Sequence, residues 1–142
     1  MNIGIGSDHA GVSLKRSVIQ FLKEKGYNIK DYGPNTDDSV DYPDYAHPVA
    51  RAVENKEHEL GILICGSGNG INMTANKHQG IRAALCWEEE IASLARQHNN
   101  ANILVMPARF ISETKALSIV ESFFSAQFEG GRHQNRVNKI SC

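Results

Sequence analysis

The sequence predicts an α/β protein, a three-layer α/β/α Rossmann-like sandwich built on a five-stranded parallel sheet. Short runs rich in aliphatic and β-branched residues alternate with stretches whose apolar residues recur every three or four positions. The connections are short, which favours parallel strands joined by right-handed crossovers with helices on both faces. A chain of 142 residues is the length of one domain, so we expect residues 1–142 to form a single domain.

Five segments are predicted to be strands because each is short, apolar and bounded by polar or turn-forming residues. They are NIGIG at 2–6, YNIKDY at 27–32, LGILIC at 60–65, IRAALC at 81–86 and NILVM at 102–106.

Apolar residues at helical spacing predict amphipathic helices between these strands. Gly26 stands where the first helix should end and Pro107 where the last strand should end, and a short helix should begin near Ile71. The predicted core faces are Leu14, Val18, Phe21 and Leu22; Ala46, Val49, Ala50 and Val53; Trp87, Ile91, Leu94 and Ala95; and Ala116, Leu117, Val120, Phe123 and Phe124.

Composition excludes several classes of protein. The net charge of −1 and pI of about 6.6 are unlike those of a polycation that binds nucleic acid. No apolar run approaches the about 18 residues of a membrane span, and the start MNIGIGSDH lacks the features of a signal peptide. We therefore expect a cytoplasmic protein. Its three cysteines show no CxxC spacing and are expected to be free thiols.

Polar residues follow three of the predicted strands. In parallel α/β folds ligands bind beyond the carboxyl ends of the strands. Ser7-Asp8-His9 follows the first strand, Cys65 and a glycine-rich loop follow the third, and Arg109 follows the fifth. We expect the functional site at this edge of the sheet.

The loop after the third strand reads CGSGNG, with glycines at 66, 68 and 70. Glycines let a ligand approach the backbone, and amides next to a helix start attract anions. The nucleotide signatures fail, because the loop lacks the lysine of GxxxxGK[ST] and Ile71 breaks GxGxxG. The loop is therefore predicted to bind an anionic ligand other than a nucleotide.

Cys65 precedes this loop, and a helix N-terminus lowers the pKa of a thiol toward neutrality. A thiolate beside a ring of amides suits proton abstraction next to a carbonyl, since fixed donors stabilise the resulting enediolate. Two alternatives stay open: a buried cysteine can simply complete a strand, and acyl transfer would use the same parts if a histidine activated the thiol.

The remaining polar candidates each have a structural alternative. Asp8 and His9 could contact a sugar, or Asp8 could cap the following helix. Arg132 and Arg136 lie four apart, which suits a clamp on a phosphate dianion, but also an exposed basic face. Arg109 could join them or lie free on the surface.

His98 continues the apolar stripe of its predicted helix, which favours a core position. Polar neighbours cluster around it, however, and this helix should end at the amino edge of the sheet. A catalytic His98 would therefore have to serve another subunit. The other histidines show no HxH or HExxH spacing, so the sequence indicates no metal site.

Together these segments resemble the type B ribose-5-phosphate isomerases of the ribose/galactose isomerase family, over nearly the whole chain. The matching segments are GSDHAG at 6–11, DYPDYA at 41–46, CGSGNGINMTANK at 65–77, GIRAALC at 80–86, RQHNNAN at 96–102 and EGGRHQNRV at 129–137.

The resemblance implies a cofactor-free, metal-independent interconversion of D-ribose 5-phosphate and D-ribulose 5-phosphate in the pentose phosphate pathway, by a homodimer or dimer of dimers. It implies that Cys65 is the base, Ser67 a proton relay, and His98 the ring-opening acid assisted by Asp8. One branch of the family has a glutamate at the position of Ile71 instead, so this chain resembles the cysteine branch. The implied substrate-binding residues are Asp8, His9, Tyr42, Gly66, Ser67, Gly68, Asn69, Gly70, Asn99, Arg109, Arg132 and Arg136.

Two other functions fit the same scaffold. One is isomerisation of a six-carbon sugar, allose 6-phosphate or galactose 6-phosphate, which only the depth of the pocket would distinguish. The other is a non-enzymatic sensor that binds a sugar phosphate without turning it over.

Overall fold

The computed structural model describes all 142 residues and confirms the predicted fold class. Five parallel strands form one sheet in the order β2-β1-β3-β5-β4. The strands are β1 (Asn2–Ser7), β2 (Asn28–Asp31), β3 (Leu60–Cys65), β4 (Ala83–Leu85) and β5 (Ile103–Pro107). The α-helices are α1 (Val12–Glu24), α2 (Tyr42–Glu54), α3 (Asn69–Ala75), α4 (Glu89–Asn99), α5 (Glu113–Ser125) and α6 (Arg132–Val137).

Two hydrophobic cores lie on opposite faces of the sheet. One packs α1, α4 and α5 against alternate residues of β1, β3 and β5, and includes the completely buried Phe123. The other packs α2 and α3 against the remaining residues of β3 and β5. Every residue of β3 and β5 is buried, as expected for central strands of a parallel sheet covered on both faces.

The sheet changes winding direction between β1 and β3. Strand β1 pairs with β2 on one side and with β3 on the other, and helices α1 and α2, which follow β1 and β2, lie on opposite faces. Such a switch point leaves a crevice at the carboxyl ends of the two central strands. Asp8 and Cys65 stand at the rim of this crevice.

The structure corrects part of the predicted core. Trp87 precedes α4, whose N-cap is Glu88, so it does not share the helical face and is half exposed. Leu94 is exposed because α4 packs through the smaller Ala92 and Ala95. None of the helices combines the length and the apolar character that crossing a membrane requires.

Candidate active site

The ends of three strands bring the predicted catalytic residues to one edge of the sheet. The backbone N–H of Asp8 donates to the carbonyl of Ile64 at 3.0 Å, so the end of β1 lies beside Cys65. Cys65 pairs in register with Pro107, and the N–H of Arg109 donates to the carbonyl of Gly66 at 3.0 Å. Asp8, Cys65 and Arg109 therefore lie at one edge, as the sequence predicts.

Backbone conformation and close contacts together explain why the loop contains glycines. Gly68, the N-cap of α3, has φ of +80°, a conformation that other residues adopt at a cost. A Cβ on Gly70 would stand 2.5 Å from the Tyr42 ring, and one on Gly66 would stand 3.2 Å from Nη1 of Arg109. The loop is thus covered on one side by Tyr42 and on the other by the Arg109 guanidinium.

The Cys65 side chain lies under this loop and is only 5 % exposed. Burial raises the pKa of the thiol, the Asp8 carboxylate raises it further, and the backbone N–H groups of Ile71, Gly68 and Ser67 act in the opposite direction. The sequence-based expectation of a lowered pKa is therefore wrong in its direction. Burial by the surrounding fold outweighs the amides of the loop.

Asp8 and His9 are held by backbone groups. Asp8 is almost buried, and its Oδ1 accepts the N–H of Ala10 at 2.9 Å, the capping bond that the alternative interpretation predicts. The Nδ1 of His9 accepts the N–H of Val40 at 3.2 Å. A ring nitrogen that accepts carries no proton, so neutral His9 bears its hydrogen on Nε2 and can donate it to a ligand.

The loop that supplies Val40 is anchored by a buried lysine. Lys15 is completely buried, and its Nζ donates to Oδ1 of Asp31 at 2.7 Å and to the carbonyl of Pro34 at 2.6 Å. These bonds satisfy the buried charge. They fix the start of the polar segment 33–41, which leads from β2 past His9 to Tyr42 at the start of α2.

The outer rim of the glycine loop is open to solvent. Ser67 and Asn69 are exposed, and the N–H of Asn69 donates to Oγ of Ser67 at 3.2 Å. The hydroxyl is therefore fixed next to the loop while it keeps its own hydrogen for a ligand.

The other four predicted site residues, His98, Asn99, Arg132 and Arg136, lie elsewhere in the same chain. His98 and Asn99 form the last turn of α4, and Arg132 and Arg136 are exposed on α6, which packs against α4. Strand β5 begins shortly after Asn99 and ends opposite Cys65. The residues near the end of α4 are therefore separated from the residues around Cys65 by roughly 16 Å of extended chain. One copy of the chain does not bring the two groups together.

His98 is not a core residue, contrary to the simplest interpretation of its helical stripe. Its side chain is 38 % exposed, and its ring stacks on His133 with centroids 4.2 Å apart. Nε2 of His98 lies 3.7 Å from Oε1 of Glu129, and Nε2 of His133 lies 3.5 Å from the same oxygen. Sequence reasoning missed Glu129 and His133, although their spacing of four in EGGRHQNR was the available signal.

Comparison with known proteins identifies the family. The model of the Ribose/Galactose Isomerase family matches residues 3–140. The probable ribose-5-phosphate isomerase B of Mycoplasma genitalium is 50 % identical over 141 residues, which cover 98 % of this chain and 93 % of that protein. The ribose-5-phosphate isomerase B of Escherichia coli is 45 % identical over 140 residues, covering 99 % and 94 %.

Solved structures agree in fold over the same length. Ribose-5-phosphate isomerase B of Clostridium thermocellum superimposes with a TM-score of 0.97 at 50 % identity, covering 99 % of this chain and 95 % of that one. The M. genitalium enzyme, crystallised with bound ribulose-5-phosphate, gives 0.94 at 50 % identity, covering 98 % and 93 %. This chain belongs to the ribose/galactose isomerase family.

Proposed function

We propose that this protein is a ribose-5-phosphate isomerase that interconverts D-ribose 5-phosphate and D-ribulose 5-phosphate through an enediolate. The observation that carries the proposal is Cys65 beneath a loop of backbone amides at the switch point of the sheet. Relatives that are named ribose-5-phosphate isomerase B share 45–50 % identity with almost the whole chain, which supports the five-carbon substrate.

Cys65 is the base that moves a proton between C1 and C2. The thiolate takes the proton from C2 of the open-chain aldose, the electrons of the C–H bond form the C1–C2 double bond of the enediolate, and the π electrons of the C1 carbonyl move onto O1. The same sulfur returns the proton to C1. The N–H groups of the loop from Gly66 to Gly70 stabilise the negative oxygens, a contribution of about 3 kcal/mol per donor. Ser67 relays the proton between O1 and O2.

His98 of a second copy is the acid that opens the furanose ring, assisted by Asp8. Ribose 5-phosphate closes its ring through O4, so a proton must reach that oxygen before C1 becomes a carbonyl. The separation of His98 from Cys65 within one chain supports a homodimer in which each site takes its base from one subunit and its acid from the other.

The phosphate is held by His9, Arg109, Arg132 and Arg136. His9 offers an Nε2 hydrogen, and the exposed guanidinium groups offer the paired donors that suit a phosphate dianion. Arg132 and Arg136 come from the same subunit as His98. Tyr42, at the edge of the glycine loop, and Asn99, next to His98, contact the sugar.

The protein works in the cytoplasm as a single domain of residues 1–142, and needs no cofactor for this chemistry. A six-carbon substrate is the alternative, because the family also contains galactose isomerases. The high identity to enzymes named for ribose 5-phosphate favours the pentose.

Turnover in chelator-treated, metal-free buffer tests the proposal. We expect ribose 5-phosphate to be converted to ribulose 5-phosphate with a kcat/KM well above that for allose 6-phosphate or galactose 6-phosphate. A preference for a six-carbon sugar would contradict the substrate, and binding of ribose 5-phosphate without turnover would indicate a sensor.

A further inference from the structure

The cluster formed by His98, Glu129 and His133 has the composition and size of a transition-metal site. Two imidazoles and a carboxylate are ligands that Zn²⁺ accepts, and their ligating atoms all lie within 4.8 Å of one another. We propose that this cluster binds one Zn²⁺ per chain and that the bound ion inhibits the isomerase by occupying His98. The inhibitory part of the proposal depends on the proposed role of His98 in ring opening.

Two distances within the cluster are close to those between ligands of a coordinated zinc ion. Ligands about 2.1 Å from a tetrahedral zinc ion lie about 3.4 Å from each other. Oε1 of Glu129 lies 3.7 Å from Nε2 of His98 and 3.5 Å from Nε2 of His133. The two N···O separations therefore need to shorten by only a few tenths of an ångström to match tetrahedral zinc.

One adjustment is needed in the rings. The His98 and His133 planes are nearly parallel, at 12°, whereas a metal ion lies in the plane of each imidazole that binds it. The two rings must therefore open into a V. The side chain of His98 is 38 % exposed and has room to rotate. His133 is almost buried and provides the fixed ligand.

The backbone already places the three ligands together. The N–H of Glu129 donates to the carbonyl of Gln97 at 3.0 Å, which fixes Glu129 beside the last turn of α4. Gly130 and Gly131 then turn the chain with φ of +67° and +54°, and the N–H of His133 donates to the carbonyl of Gly130 at 3.0 Å. Binding zinc therefore orders few groups that are not already in place.

Two features limit the affinity. The cluster offers three protein ligands, which leaves the fourth position to water or another ligand, as in open zinc sites. The exposed Arg132 and Arg136 lie on α6, the short helix that also carries His133, and they repel a cation. We therefore expect a reversible site with a Kd in the micromolar range, one that a chelator empties, rather than a permanent structural ion.

Calorimetric titration of the chelator-treated full chain with Zn²⁺ tests the site directly. We expect one ion per chain, and at least tenfold weaker binding after Glu129→Gln or His133→Asn. His78→Asn is the matched control, because His78 belongs to the other histidine pair, in which it lies 2.7 Å from His47, and its loss should leave the affinity unchanged. A Co²⁺ spectrum without a thiolate charge-transfer band should show that Cys65 and Cys142 are not ligands.

Inhibition is measured separately from binding. Zn²⁺ should slow conversion of ribose 5-phosphate by the natural chain, EDTA should restore the rate, and Glu129→Gln should need at least tenfold more Zn²⁺ for the same fractional loss. Absence of binding at 100-fold excess of Zn²⁺, or equal affinity in all variants, would overturn the site, and binding without inhibition would overturn its effect. If the protein fails to isomerise ribose 5-phosphate in metal-free buffer, the proposed function fails while the calorimetric result still decides the metal site.

Discussion

The N–H of Asp8 donates to the carbonyl of Ile64 at 3.0 Å, which places the Asp8 carboxylate close enough to raise the pKa of the neighbouring Cys65 thiol. Burial of the sulfur contributes more to the same shift. Both effects disfavour the thiolate, so less of it is present at neutral pH than in an exposed cysteine. The resting fold therefore disfavours the ionised form of its proposed base.

The first prediction concerns pH. Because the pKa of Cys65 is raised, kcat/KM should climb with pH through a limb above about 8.5, the ordinary pKa of a thiol. Asp8→Asn removes a negative charge, which favours the thiolate and should move the pKa of Cys65 downward. The measurement is the rate of iodoacetamide alkylation of Cys65 against pH, which does not depend on turnover.

This titration needs a clean background. Cys142 is exposed and would react, so the experiment uses Cys142→Ser chains, and burial raises the pKa of Cys86 to about 12, which keeps it unreactive. Asp38→Asn, at an exposed site in the 33–41 loop, is the control and should leave the profile unchanged. An Asp8→Asn profile that moved to higher pH would contradict the electrostatic assignment.

The second prediction removes the base. Cys65→Ser keeps the size of the side chain but replaces the thiol with a hydroxyl that does not ionise in the accessible range. Turnover should fall by about 10²- to 10⁴-fold, the usual contribution of a general base. Binding of ribulose 5-phosphate, measured by calorimetry, should change little. Near-normal turnover would remove Cys65 from the mechanism.

The third prediction uses the contact between Gly70 and Tyr42. Gly70→Ala puts a methyl group 2.5 Å from the present position of the Tyr42 ring, so the ring must move away from the site. We expect KM for ribose 5-phosphate to rise about tenfold, equivalent to about 1.4 kcal/mol. In a Tyr42→Ala background, the Gly70→Ala substitution should raise KM little further. Equal effects in both backgrounds would show that Gly70 acts independently of Tyr42.

The predictability of this fold from sequence differs between its local and its long-range features. The strands and helices follow from periodicity, and the position of Cys65 at a strand end follows from the apolar run before it. The direction of its pKa shift does not, because burial of the sulfur depends on how α2 and α3 pack over β3. For the same reason the pattern alone predicts a core position for Trp87, which precedes α4 and is half exposed.

The cluster beside His98 shows the same limit. Glu129 and His133 are 31 and 35 positions further along the chain, and only the packing of α6 against α4 brings them to His98. Histidine spacing in the sequence therefore indicated no metal site, whereas the folded chain forms a compact group of three possible ligands.

The fourth prediction concerns the phosphate. Arg132→Ala removes one guanidinium, and a charged hydrogen bond is worth about 1.5–3 kcal/mol. KM for ribose 5-phosphate should therefore rise by roughly 10- to 100-fold, with a smaller change in kcat. Arg51→Ala, at an exposed position on α2, is the control. An unchanged KM for Arg132→Ala would place the phosphate elsewhere.

The fifth prediction tests whether two chains share each site. Chains carrying Cys65→Ala and chains carrying His98→Asn should each be inactive on ribose 5-phosphate when expressed alone. In the proposed homodimer, a mixed pair contains one site with an intact Cys65 from one chain and an intact His98 from the other. Each mixed dimer should therefore show about half the activity of the natural dimer.

The decisive measurement is the rate of ribose 5-phosphate conversion by co-expressed, doubly tagged mixed dimers purified away from both parents. Recovery of about half the natural rate per dimer is the result expected if base and acid come from different subunits. A rate no higher than that of either parent would mean that no chain completes its neighbour's site, and the pairing of Cys65 with His98 across subunits would be wrong.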